Sequence, residues 1–171
     1  LDRRLPKPFH HVFLRVREAR IANPDKNTIR KLAQLETLRG VHIYSAEVDA
    51  DDLKFIDESN TLTSLALINC RLSTDAITKL ANHQPLRQIS LRGCPLSNLD
   101  ARALDRLPHL KAVDLSRTGL KLSKLNQPGW AKTVERLQLS RPTAGQEDSL
   151  SIDGWMKLTS LHLHRIRRKI P

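Results

Sequence analysis

The chain is short of rings, sulfur and glycine. Phe, Trp and Tyr together make up 4% of its 171 residues, so any interior layers must be filled by aliphatic residues, and Leu dominates. Two cysteines cannot frame a disulfide-stapled fold. No apolar run approaches the length of a membrane-spanning helix, and no signal peptide is visible. Phosphate loop, dinucleotide fingerprint and nucleophile elbow are all missing. Acidic residues are outnumbered, 18 against 29 Lys and Arg, for a net charge of +11. Such a bias favours acidic partners, whether protein, nucleic acid or anionic lipid, and speaks to association rather than to fold; a solvated surface accounts for it as well. The length suits one domain. The chain starts at Leu1 rather than Met, which is expected of a processed or excised chain.

What is present is a repeat. Leu38, Leu62, Leu86, Leu110, Val134 and Leu158 follow one another at 24-residue intervals. Each opens the same pattern: apolar, two free residues, apolar, one free, apolar, two free, then a closing residue. The copies read LRGVHIYSA, LTSLALINC, LRQISLRGC, LKAVDLSRT, VERLQLSRP and LTSLHLHRI. A period between 20 and 29 with alternating apolar positions predicts short parallel strands stacked in register, because one such unit cannot bury its apolar face alone. Val16, Ala19 and Ile21 fit a weaker first strand, 22 residues ahead of Leu38, with Ile29 and Leu32 on a helix behind it. Pro6 and Pro8 exclude a helix at the start.

These residues resemble the leucine-rich-repeat family over about residues 36 to 171. The tails LSTDAITKLANHQP and LSNLDARALDRLPH are similar to the helix-bearing repeats of bacterial and F-box-type proteins. The resemblance implies a right-handed α/β solenoid with a parallel concave β-sheet and short convex helices. Residues 1–37 are then an N-terminal cap with a degenerate repeat, and residues 38–171 hold about six repeats. The closing position, often Asn in the family, is here Ala46, Cys70, Cys94, Thr118, Pro142 and Ile166, so the ladder is least regular at the last two.

Asp49, Ser73 and Ser97 suit helix N-caps, and Ser97 with Asp100 has capping-box spacing. Asp49, Asp51 and Asp52 cluster where the helix dipole favours them. Ile56, Leu80, Leu104 and Ile152 share one repeat position and are expected to face inward. Pro128-Gly129 leaves the fourth tail a short helix or none. Trp130 and Trp155, at nearly the same offset, are expected to plug the convex side rather than stack on a ligand. Cys70 and Cys94 occupy one position of adjacent repeats and are expected to be buried and reduced.

Outward residues of successive strands should stack into columns about 5 Å apart. One column holds Arg117, Arg141 and Arg165, flanked by Arg92, with Arg136, His162 and His164 nearby. Like charges so close favour an anion among them, and the planar guanidinium fork suits carboxylate or phosphate; the alternative is a set of solvated arginines. Tyr44 and Ile68 are adjacent and form a candidate apolar patch at the other end of the face. His162 and His164 share a strand face but lack further metal ligands in the adjoining repeat. Asp114 and His162 are two repeats apart, beyond hydrogen-bond reach.

The reading favoured by these features is a non-catalytic module without cofactor, binding a protein with an acidic surface through the concave sheet. Two alternatives stay open. One is an accessory or positioning domain of a larger protein, an enzyme or a membrane-anchored one. The other is nucleic-acid or anion binding by the basic ridge, against which the lack of stacking aromatics counts.

Overall fold

A computed structural model describes residues 16–57, 59–97, 102–126, 128–140 and 150–164. It is an α/β structure built on one seven-stranded parallel sheet. The strands are β1 (Glu18–Ala22), β2 (Gly40–Tyr44), β4 (Ser64–Ile68), β6 (Gln88–Ser90), β7 (Ala112–Asp114), β8 (Arg136–Ser140) and β9 (Ser160–His164), adjacent in that order. A second, two-stranded sheet pairs β3 (Glu47–Val48) with β5 (Arg71–Leu72). The register carries the period: Val41 pairs with Leu65, Leu65 with Ile89, Ile89 with Val113, Val113 with Leu137 and Leu137 with Leu161. Ala19 and Ile21 of β1 lie level with Val41 and Ile43, a step of 22.

The three apolar positions of each unit form three buried columns. Leu38, Leu62, Leu86, Leu110 and Val134 make the first. Ile43, Leu67, Leu91, Leu115 and Leu139 make the last. Each fully buried Leu or Ile is worth about 2 kcal/mol of apolar transfer, and every one is covered by the copy before and the copy after. The last copy has no such cover among the described residues: Leu158 and Leu161 are half-buried and Leu163 is 42% exposed.

Tails returning from the sheet vary in regularity. α1 (Lys26–Arg30) starts at Asp25, whose carboxylate accepts from Thr28 N at 2.6 Å. α3 (Thr74–Ala81) starts at Ser73, whose hydroxyl accepts from Ala76 N at 3.1 Å. α2 (Lys54–Asp57) follows a turn closed by a reciprocal pair: Asp52 N donates to Asp49 Oδ1 at 3.0 Å, and Asp49 N donates to Asp52 Oδ2 at 3.1 Å. A capping box thus forms between two aspartates. Asp100 lies outside the described residues, so the Ser97–Asp100 box does too. Ile56, Leu80 and Leu104 are buried, but Ile152 is 56% exposed. The expectation for Ile152 is corrected because residues 150–158 form turns rather than a helix, and Trp155 takes the inward place instead. Short 3-10 turns at Leu122–Leu125 and Gly129–Lys132 surround Pro128. Trp130 and Trp155 are both buried, ring centroids 5.1 Å apart and nearly perpendicular.

The Asp49–Asp52 turn is also an ionic cluster. Lys26 Nζ is hydrogen-bonded to Asp49 Oδ2 and lies 3.8 Å from the fully buried Asp52, which Arg30 Nε approaches to 3.4 Å. The Lys26 ammonium draws the Asp49 carboxyl down from 3.8 to about 2, and Asp49 in turn raises Lys26 above 10.5. A depressed carboxyl stabilises the fold above pH 3.8 and loses that contribution as pH falls toward 2. A raised ammonium contributes fully below pH 10.5 and loses it as pH rises further. Lys26→Ala is therefore expected to flatten both limbs of a melting-temperature profile against pH. An unchanged acid limb would mean the pair contributes nothing.

Cys70 and Cys94 are completely buried, with Sγ 3.5 Å from Ile68 O and 3.2 Å from Leu67 O respectively. The two thiols are neighbours and each acts on the other's titration. The Cys94 thiol beside it pulls Cys70 down to about 7 against burial, while the Cys70 thiol and burial both push Cys94 up. Thiolate character favours alkylation, but a reagent must reach the sulfur, so burial decides. Iodoacetamide at neutral pH is expected to modify neither cysteine until denaturant is added, read by intact mass. Rapid modification of Cys70 in the folded chain would show that the core opens there.

Candidate functional site

One face of the sheet packs on the core; the other is open. Residues that alternate with the buried columns make rows on it, two of which lie along the middle of the strands. One reads Gly40, Ser64, Gln88, Ala112, Arg136 and Ser160, and the other His42, Ala66, Ser90, Asp114, Gln138 and His162. Ser64, Ala66, Ser90 and Ala112 are small and keep the middle of the face low, with the exposed Gln88 standing between Ser64 and Ala112. This middle forms a shallow trough of about 310 Å³, bounded by His42 at one end and by Arg136, Gln138 and His162 at the other.

Asp114 lies in this floor, its carboxylate accepting from Ser116 N at 2.9 Å and Ser90 Oγ at 3.3 Å. His162 and His164 are exposed on the edge strand, and Ser160 Oγ is 3.3 Å from His162 Nδ1. Gln138 separates Asp114 from His162 in the register, so no proton relay links them. Among the described residues no three of His, Cys, Asp and Glu come together as metal ligands.

Arg117, the described member of the arginine column, does not stand on the sheet face. The column's position follows the last strand residue, where the chain turns out of the sheet with a left-handed backbone. Asn23, Ser45, Asn69 and Arg117 have φ of 48°, 55°, 54° and 60°, and Gly93 has 73°. Asn, Ser and Gly suit that conformation; an Arg there costs roughly 1–2 kcal/mol. Arg117 is exposed, as is Arg92 beside it, and the two form a rim along the trailing ends of the strands. Arg141 and Arg165 lie outside the described residues. Arg136, which the sequence places near this column, is at the opposite end of β8. Tyr44 and Ile68 are in register with each other and half-buried rather than freely exposed.

A second basic rim, not singled out from the sequence, runs along the leading ends of the strands. Arg17, Arg39, Arg87 and Lys111 occupy the position just before each strand. Their carbonyls accept from the next copy: Arg39 N donates to Arg17 O, Ser64 N to Arg39 O, Ala112 N to Arg87 O and Arg136 N to Lys111 O. Lys111 is paired with Glu135 at 2.7 Å, which holds the Glu135 carboxyl below its usual range. Among the described residues no carboxylate forms an ion pair with Arg39, Arg87, Arg92, Arg117 or Arg136. The signal was available as a column: the second position of the copies reads Arg39, Thr63, Arg87, Lys111, Glu135 and Thr159. The two rims are five residues apart along a strand, roughly 17 Å, with the low trough between them. Comparison with protein-family models, with curated proteins and with solved structures returned no match. Among the described residues no helix is long and apolar enough to cross a membrane.

Proposed function

We propose that the chain is a leucine-rich-repeat solenoid whose concave sheet is a non-catalytic docking surface for an acidic partner protein. The 24-residue register and the returning tails support the repeat assignment. One observation carries the function: among the described residues, guanidinium groups that form no ion pair with a carboxylate flank a trough whose floor is mostly small side chains. Arg117 adds weight. A strained backbone at a long cationic side chain is the sort of local cost that functional surfaces retain.

Two variants test the reading. Replacing Arg39, Arg87, Arg92 and Arg117 together by Gln should leave the melting temperature unchanged or slightly higher. It should weaken binding of a Glu-rich polypeptide. Four exposed pairs at about 0.5 kcal/mol each sum to about 2 kcal/mol, roughly thirtyfold in affinity, and the salt dependence should flatten with it. Arg117→Gly should act with opposite signs on its two readouts. It relieves about 1 kcal/mol of left-handed strain, part of it offset by the larger unfolded-state entropy of Gly, while binding weakens. Unchanged affinity in the fourfold variant overturns the proposal.

A further inference from the structure

The partner's shape and charge pattern can be taken further, on the footing of the docking surface just proposed. Three features of the open face bear on it. The floor is low where Ser64, Ala66, Ser90 and Ala112 lie. Cations flank it on both sides, roughly 17 Å apart. Midway between them is an acid, Asp114, in the same row as Ser90 and Gln138. Its oxygens are held by Ser116 N and Ser90 Oγ and its side chain is half-buried.

We infer that the trough receives an α-helical segment of the partner, lying across the strands, with acidic residues on both flanks and a cationic or amide side chain directed at Asp114. Spacing favours the helix. Successive strands are about 4.8 Å apart, and a helix places residues on one flank every 5.4 Å, so each turn meets one copy of the repeat. An extended peptide places same-side residues about 6.6 Å apart and falls out of step within two strands. Width agrees: a helix with its side chains is about 10–12 Å across, which leaves the Arg87 and Arg92 side chains room to reach its flanks. From β2 to β8 is four strand spacings, about 19 Å, or about 13 residues of helix. Asp114 argues against a polyphosphate backbone, which would set like charge on like along the centre of the face.

The probes are fluorescein-labelled, alanine-based peptides read by anisotropy. One carries Glu on two flanks with a single Lys between them; a second has a central proline; a third has the same composition reordered so that no flank forms. A thymidine oligonucleotide is the fourth probe. The first peptide is expected to bind at least tenfold more tightly than the proline or reordered forms. Asp114→Asn, which keeps an acceptor for Ser116 N, should weaken that peptide about fivefold and leave the oligonucleotide unaffected or tighter. Asp114→Lys should recover affinity for a peptide with Glu in place of its Lys, a swap that a merely folding-related role of Asp114 does not produce. No binding of the first peptide, equal binding of the proline form, or indifference to Asp114 overturns the inference. If the peptides bind alike yet all weaken in the fourfold rim variant, the helix falls and the acidic-partner reading stands. If no acidic peptide responds to the rims, both fall. Tighter oligonucleotide than peptide binding assigns the face to nucleic acid and ends both.

Discussion

Leu91→Asp is expected to leave the chain without a cooperative unfolding transition, while Arg92→Asp, one residue on, is expected to fold. Leu91 is 1% exposed and belongs to the third apolar column, between Leu67 and Leu115. The substitution removes about 2 kcal/mol of apolar burial and puts a carboxylate where no cation or donor can meet it. That second cost is several kcal/mol even after relaxation, and protonation of the group would only convert part of it into a pH dependence. Together the terms rival the whole stability of a domain, about 5–15 kcal/mol. Arg92 is exposed on the trailing rim, where surface changes rarely exceed about 0.5 kcal/mol. Leu91→Ala should fall between, losing about 2–5 kcal/mol. Far-UV circular dichroism against denaturant reads all three. A Leu91→Asp chain as stable as the parent would mean that the apolar column is not the core.

The fold was legible because one period controls both local and long-range structure. Once Leu38, Leu62 and Leu86 recur at 24 residues, alternation sets which side chains are buried, and the same interval sets which strand pairs with which. Neither step needs an alignment. The weaker first strand was legible by the same rule, since Ala19 and Ile21 keep the spacing of Val41 and Ile43. Periodicity failed where the backbone departs from it. Counting the column by register alone sets Arg117 among the outward rows, although strict alternation gives it the parity of the buried Val113 and Leu115; it is exposed because the chain has turned left-handed at Ser45, Asn69, Gly93 and Arg117. The residue types held that information: Asn, Gly and Ser in one column mark positive φ. Ile152 failed for a different reason. Its repeat position is buried only where a helix forms behind the strand, and the Asp153–Gly154 turn replaces that helix.

The candidate surface was half legible. Arg92 and Arg117 were reached from the sequence; Arg39 and Arg87 were not, because each precedes its strand and belongs to no outward row. Whether a charge on a repeat faces a trough or open solvent depends on the side chains around it. That depended here on the smallness of Ser64, Ala66, Ser90 and Ala112, residues that carry no chemistry when read singly.

Trp130→Ala is expected to be the most damaging change outside the strand columns, and its effect should be local. Trp130 is 1% exposed and meets Trp155 edge-on at 5.1 Å. Large aromatic truncations cost about 3–5 kcal/mol, of which the ring pair supplies about 0.5–1.5 kcal/mol. The two indoles fill the space left where Pro128-Gly129 and the 150–158 turns replace regular helices, so their loss leaves β8 and β9 with little behind them. In the proposed solenoid each copy would be held by its neighbours alone. The damage should therefore loosen the C-terminal copies first. The chain has only two tryptophans, so fluorescence of the variant reports Trp155 alone, whereas far-UV circular dichroism reports the whole sheet. The fluorescence transition is expected to precede the dichroism transition in Trp130→Ala, and the two should lie closer together in Trp130→Phe, which keeps a ring. Coincident transitions in both variants would show that the sheet unfolds as one unit, and the proposed solenoid would then lack the nearest-neighbour energetics that define it.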